Sequence, residues 1–280
     1  MNQGRYREAE PPLLGALKLA GPESSTANYN LASLYHRQGR LSEAEKLHRR
    51  ALELIERERG AFDPEVAQSL NDLGAIYRSL GRYSQSIAAL ERAVQILNRN
   101  PPRELMATAL NNLGLAYYDV GESVKAEGIL RRALSAAEAG RDPGHSEVPY
   151  ILSSLGRGYL AGKHYGEAES VYRRAISLLA EAPGVRHPDY AVAVSNLGAV
   201  YQRQKRFREA LPLLESAIEI LEESAGRDAP VLAVPLARYA EALKSLGRKS
   251  EAREVARRAK AMARPASGTV DVKALRGRGQ

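Results

Sequence analysis

Small and apolar residues recur along this chain on a helical beat, and the whole arrangement then returns at a longer interval. The stretch "NLASLY" at 30–35 is answered by "DLGAIY" at 72–77, "NLGLAY" at 112–117, "SLGRGY" at 154–159 and "NLGAVY" at 196–201. A looser copy, "RYAEAL", follows at 238–243. The small residue inside each is Ala32, Gly74, Gly114, Gly156, Gly198 and Ala240, at separations of 42, 40, 42, 42 and 42. Twelve residues further on stand Ala44, Ser86, Ala126, Ala168, Ala210 and Ala252, and seven beyond those Ala51, Ala93, Ala133, Ala175, Ala217 and Ala259. A period of this kind outranks a domain count taken from length, because each unit must bury its apolar face against the next.

Each unit predicts two antiparallel helices, A and B. The Gly or Ala of helix A and the two small positions of helix B mark where the backbones approach closest, with Leu and Tyr filling the groove beside them. Gly39, Gly81, Gly121 and Gly247 sit between the halves, where a left-handed residue ends a helix. Ser42, Ser84 and Ser250 follow them and are expected to cap helix B. Between units run "GAFDPEVAQSL" (60–70), "GVRHPDYAVAV" (184–194) and a degraded "GHSEVPYIL" (144–152). In these, Asp63 suits an N-cap, Pro64 and Pro188 the first helical turn, and Glu65 and Asp189 the helix dipole. The opening "QGRYREAEPPLLGALKLA" (3–20) matches the second half of a unit, so residues 5–19 are expected to form a lone helix B. Its partner helix is missing, which reads either as truncation of a longer protein or a misplaced start, the favoured expectation, or as a helix that caps the array; Leu13, Leu14 and Leu17 are then partly uncovered.

These residues resemble the tetratricopeptide repeat: a small eighth position, Tyr three later, then Ala, a large apolar residue and Ala. The family's usual period is about 34 residues. The 42-residue form with "HPD" and "EAE…RAL" is similar to the kinesin light chain type. The resemblance implies an all-α fold, a right-handed α-α superhelical solenoid of helix hairpins. Its expected parts are a half repeat (1–20), six repeats (21–263) and a basic, disordered tail (264–280). It also implies that the A helices line a concave binding face. Mapped onto this chain, the candidate peptide-binding residues are Asn30, Asn71, Arg78, Asn111, Asn112, Tyr118, Arg157, Asn196, Arg203 and Arg238. A carboxamide offers both a donor and an acceptor to an extended peptide backbone; the other reading of these positions is that Asn braces the next helix and Arg is ordinary surface. Arginines outnumber acids among these positions, so the expected partner is an acidic peptide or protein. The positions where some relatives carry a lysine clamp for C-terminal carboxylates read Thr26, Gln68, Thr108, Tyr150, Val192 and Val234, which argues against that recognition mode.

Composition changes the picture mainly by exclusion. The 280 residues contain no Cys, so disulfides and thiol chemistry are excluded. The first twenty carry Arg5, Arg7, Glu8, Glu10 and Lys18 and lack the apolar core of a secretory signal. No run approaches the length of a membrane span, so a cytoplasmic setting is expected. "GRGYLAGKH" (156–164) fails as a phosphate loop in its glycine spacing and lies on a helix A pattern. His145 and His187 occupy equivalent places in adjacent units, about 10 Å apart if stacked like packed helices, too far to share an ion. No catalytic residue, cofactor or metal is expected. The formal net charge is +8. The pairs Arg49–Arg50, Arg131–Arg132, Arg173–Arg174 and Arg257–Arg258 raise nucleic acid as a partner. However, Glu45, Glu127 and Glu169 precede Arg49, Arg131 and Arg173 by four residues, an order that favours salt bridges of about 0.3–0.5 kcal/mol each. A non-catalytic adaptor gripping an acidic peptide is therefore the leading expectation. Self-association through the uncovered N-terminal helix is the alternative, and a nucleic-acid binder the weaker one.

Overall fold

The computed structural model describes residues 3–99, 102–139 and 147–263. The tail from 264 and His145 lie outside them. Among the described residues there are thirteen α-helices and no strand. The chain opens with α1 (Gln3–Ala20), α2 (Ser25–Arg37), α3 (Leu41–Arg59), α4 (Pro64–Ser79) and α5 (Tyr83–Leu97). It continues with α6 (Arg103–Asp119), α7 (Ser123–Glu138), α8 (Val148–Ala161) and α9 (Tyr165–Leu179). The last four are α10 (Pro188–Arg203), α11 (Phe207–Ala225), α12 (Ala233–Ser245) and α13 (Lys249–Met262). The chain divides into two compact units, Met1–Ala175 and Ile176–Gln280. The first holds α1, the hairpins α2–α3, α4–α5 and α6–α7, α8 and most of α9; the last turn of α9 falls in the second, with α10–α11 and α12–α13.

The predicted close approach of A and B is real, and its geometry explains the glycines. A methyl group added at Gly74 would lie 2.5 Å from Leu90, at Gly114 2.6 Å from Leu130, at Gly156 2.6 Å from Tyr172, and at Gly198 2.9 Å from Leu214. Each large side chain stands sixteen residues after its glycine and drops onto bare backbone. The alanines beside this contact are sealed: Ala44, Ala51, Ala93, Ala126, Ala133, Ala168, Ala175, Ala210 and Ala217 are 0% exposed. Ser86 takes one alanine slot because its hydroxyl donates to the Gly74 carbonyl at 2.7 Å, satisfying itself inside the core.

The hairpin turns follow one design. Gly39, Gly81, Gly121 and Gly247 all have positive φ, as predicted, and the same place in the fourth and fifth hairpins is taken by Lys163 (φ 64°) and Lys205 (φ 60°). A lysine there gives up about 1–2 kcal/mol to backbone sterics. The next amide closes the turn by donating back to the preceding helix: Arg40 to Tyr35 O, Arg82 to Tyr77 O, His164 to Tyr159 O, Arg206 to Tyr201 O.

The expected serine caps are corrected by the structure. Helices α3, α5 and α13 begin one residue before Ser42, Ser84 and Ser250, and the capping positions are Arg40, Arg82 and Arg248, without side-chain caps. The turn leaves no extended residue where the serines stand. Instead Arg40, Arg206 and Arg248 fork onto Glu43, Glu209 and Glu251 one turn later. Between repeats the sequence expectation holds. The Asp63 carboxylate accepts from Glu65 N at 2.8 Å, with Pro64 in the first turn. His187 Nδ1 accepts from Asp189 N at 3.2 Å, ahead of Pro188. Helix α1 forms with Pro11 and Pro12 inside it. Its Ala9, Leu13 and Leu17 pack on the cluster of Leu31, Leu34 and Tyr35, while Leu14 is exposed.

Candidate binding face of the A helices

The A helices are α2, α4, α6 and α8 in the first unit and α10 and α12 in the second. Two consecutive positions, three and two residues before the small residue, carry hydrogen bonds between neighbouring A helices at α2–α4, α4–α6 and α10–α12. Tyr29 Oη donates to Asp72 at 2.6 Å. Asn112 Nδ2 donates to Asn71 Oδ1 at 2.9 Å. Arg238 donates to Ser195 Oγ, to the Ser195 carbonyl and to Asn196 Oδ1 at 3.0–3.1 Å. The residue four after the small position also reaches across: Arg78 pairs with Asp119 at 2.6 Å, and Gln202 donates to the Arg238 carbonyl at 2.8 Å. Tyr118 lies against Gly158, where an added methyl would overlap the phenol oxygen at 1.8 Å.

Of the ten residues assigned from sequence, the structure brings Asn71, Arg78, Asn112, Tyr118, Asn196 and Arg238 into this inter-repeat ladder. Asn30, Arg157 and Arg203 are exposed on the A helices. Asn111 is a special case: its Oδ1 is buried without a hydrogen-bond partner. The register places Ser154 opposite it, but Ser154 donates to its own helix, to the Tyr150 carbonyl. Beside the ladder, Tyr150 (49%), Val192 (42%) and Val234 (56%) stand exposed at matching positions.

Electrostatics here are set by burial. Desolvation, reinforced by the Asp72 charge, raises the Tyr29 hydroxyl. Desolvation also raises Tyr118 and lowers His36 against the opposing pull of Asp72. Sequence reasoning missed His48. It is fully buried, with neither ring nitrogen hydrogen-bonded, and it meets the Tyr29 ring edge-on at 5.2 Å. Burial holds its pKa down at about 4. The available signal was its spacing, sixteen residues after Ala32, in the slot that Leu90 fills in the next hairpin.

Each arginine pair has at least one member in an ion pair: Arg50, Arg131, Arg173, Arg174 and Arg258. Arg131 meets Glu127 and Arg173 meets Glu169 within a helix, as the spacing predicts. Glu45 departs from it and pairs with Arg82 of the next repeat. Arg92 with Glu56 and Arg174 with Glu138 likewise join successive repeats, while Arg186 ties the lead-in to α10 to Glu223 of α11 in the same hairpin. Among the described residues no cluster of three or more His, Asp or Glu side chains is placed to hold a metal, and no helix is long and apolar enough to cross a membrane.

Similarity to known proteins agrees with this architecture. The chain is 30% identical over 132 residues to kinesin light chain-related protein 3 of Arabidopsis thaliana, covering 45% of this chain and 20% of that one. It thus spans about a fifth of the length of the curated relatives it matches. The crystal structure of the nearly identical TPR-like repeats of Podosopora anserina superposes with a TM-score of 0.60 at 21% identity, over 71% of this chain and 95% of that one. A Rap protein solved in complex with competence and sporulation factor gives a TM-score of 0.63 at 16% identity, over 85% and 76% of the two chains. The tetratricopeptide-repeat family model matches residues 23–99, 105–181 and 184–264. With the nested small residues, the left-handed turns and these matches in agreement, the chain belongs to the tetratricopeptide-repeat family.

Proposed function

We propose that the protein is a non-catalytic scaffold whose A helices hold an extended, acidic segment of a partner protein. A cytoplasmic setting is part of this proposal and leans on the kinesin light chain-related relatives. The carrying observation is what the ladder leaves over. The amides are largely spent on linking repeats, whereas Asn30, Arg157 and the apolar Tyr150 remain exposed on the A helices of the first unit, and Arg203, Val192 and Val234 on those of the second. In the second unit, Arg203 and Lys244 outnumber Glu241 on this face. Side chains of that kind suit a peptide with acidic residues alternating with apolar ones, since extended chain sends successive side chains to opposite faces. Charge would set the on-rate and sign preference. The ladder residues then act indirectly, by fixing the spacing of the exposed ones. The complex of a Rap protein with competence and sporulation factor lends the reading support at the level of fold.

The test is fluorescence anisotropy with labelled extended peptides of alternating Glu and Val, against the same peptides with Lys for Glu. The acidic series is expected to bind, and Arg203→Glu to weaken it about tenfold. Equal affinity for the lysine series would remove the acidic preference. Asn112→Ala is expected to lower the melting temperature more than it lowers affinity.

A further inference from the structure

The second unit ends in a groove that the other hairpins fill. Sixteen residues after the small A-helix position, the five preceding B helices carry His48, Leu90, Leu130, Tyr172 and Leu214. Four of these side chains press directly onto a glycine. In α12–α13 the same slot holds Ala256 opposite Ala240, so both members of the nest are small. A surface groove of about 550 Å³ lies over this slot, floored by Ala237, Ala240, Ala252 and Ala256. Its edges carry Lys244, Lys249 and Arg253 against the single carboxylate of Glu241. Arg248 nearby is held by Glu251 and Arg258 by Glu222, whereas Lys244, Lys249 and Arg253 make no ion pair among the described residues.

We propose that this groove docks an amphipathic helix from a partner protein, with a leucine-rich ridge facing the alanine floor and acidic residues along its flanks. A helix is the occupant the shape selects, since the floor lies between two antiparallel helices and a ridge of side chains packs into such a furrow. Acidic flanks follow from the unpaired cations on the rim. The chain's own tail is a poor occupant: residues 264–280 carry Arg264, Lys273, Arg276 and Arg278 against Asp271 alone, and would meet like charge. This surface meets the A-helix strip proposed above at Lys244 and Glu241 but has a floor of its own, Ala237, Ala240, Ala252 and Ala256.

The experiment titrates the full chain into a labelled synthetic helix as long as α13, with Leu on one face and Glu on both flanks. Binding is expected, and a counterpart with Lys for Glu is expected not to bind. Ala256→Leu fills the exposed slot and should weaken binding at least about tenfold. The surface double variant Lys249→Glu with Arg253→Glu should do the same without touching the floor. Arg157→Glu with Arg203→Glu should leave it unchanged, which separates this groove from the A-helix strip. Four results overturn the assignment. They are no binding by the acidic helix, binding that survives both groove variants, equal binding of the lysine counterpart, and tighter binding of a peptide of sequence 264–280. A concentration-dependent dimer in sedimentation, abolished by Ala256→Leu, would give the groove to a second copy and overturn it as well.

Discussion

At the scale of single residues, the slot between A and B is filled by matched pairs. Glycine meets Leu90, Leu130, Tyr172 or Leu214, while the same sixteen-residue spacing pairs Ala32 with His48 and Ala240 with Ala256. The extra methyl of Ala32 leaves room for a flat ring. His48→Leu alone should therefore overpack and destabilise by about 1–3 kcal/mol. Ala32→Gly with His48→Leu should restore the pair used by the next hairpin. The imidazole also makes this slot sensitive to pH. His48 is held down at about 4 by burial, with Asp72 pulling its pKa up and His36 pushing it down. An unfolded histidine titrates near about 6.5. The unfolded state therefore binds the extra proton first, and stability falls as pH drops from about 6.5 towards about 4. By about pH 5 the loss is roughly 2 kcal/mol. Urea midpoints at about pH 7 and pH 5 are expected to differ in the native chain by that much more than in the double variant. An equal pH response in both would exclude His48 as the source. The spacing of this slot is readable in the sequence; that its two members compensate each other shows only when atoms are placed.

At the scale of the helix, the ladder between A helices determines how adjacent repeats meet. Its bonds run Tyr29 to Asp72, Asn112 to Asn71 and Arg238 to Ser195, always from the same two positions. The register breaks at Asn111, whose carbonyl oxygen is buried and unmet because Ser154 is too short and turns to its own backbone. Ser154→Asn supplies a carboxamide at the position Asn112 occupies one repeat earlier. It is expected to stabilise the α6–α8 contact by about 1 kcal/mol, the worth of satisfying a buried acceptor, seen as a raised melting temperature. An unchanged or lower value would mean that Asn111 is not reachable from that position. The recurring Asn was legible in the sequence, and so were its face and spacing. Its partner was not, because a lone periodicity says which way a side chain leaves its helix but not which residue of the next helix stands opposite. The serine caps failed for a related reason. The positive-φ residue ends one helix so tightly that the next begins before the serine is reached.

At the scale of the whole molecule, the contacts that stabilise the first unit are all local in the stack. α2 packs on α3, α3 on α4, α4 on α5 and α5 on α6, and among the described residues the A helices that pack on one another most closely are successive neighbours such as α4 with α6. The charge follows the same rule, since Arg82, Arg92 and Arg174 each find their glutamate one repeat back. The order of hairpins, their period and their number could be read from the sequence, because each repeat restates one packing solution. The division at residues 175 and 176 could not, since no shift in composition marks it. A stack bound by nearest-neighbour contacts should transmit damage over short distances only. Gly74→Leu is the sharpest perturbation available, because even a methyl there would sit 2.5 Å from Leu90. Native-state hydrogen exchange of that variant should show the largest loss of protection in α4 and α5. A smaller loss is expected in α3 and α6, which pack directly on them, and little change in α8. Loss spread evenly over every helix from α2 to α8 would contradict this picture. It would show that the first unit opens as one cooperative body rather than repeat by repeat.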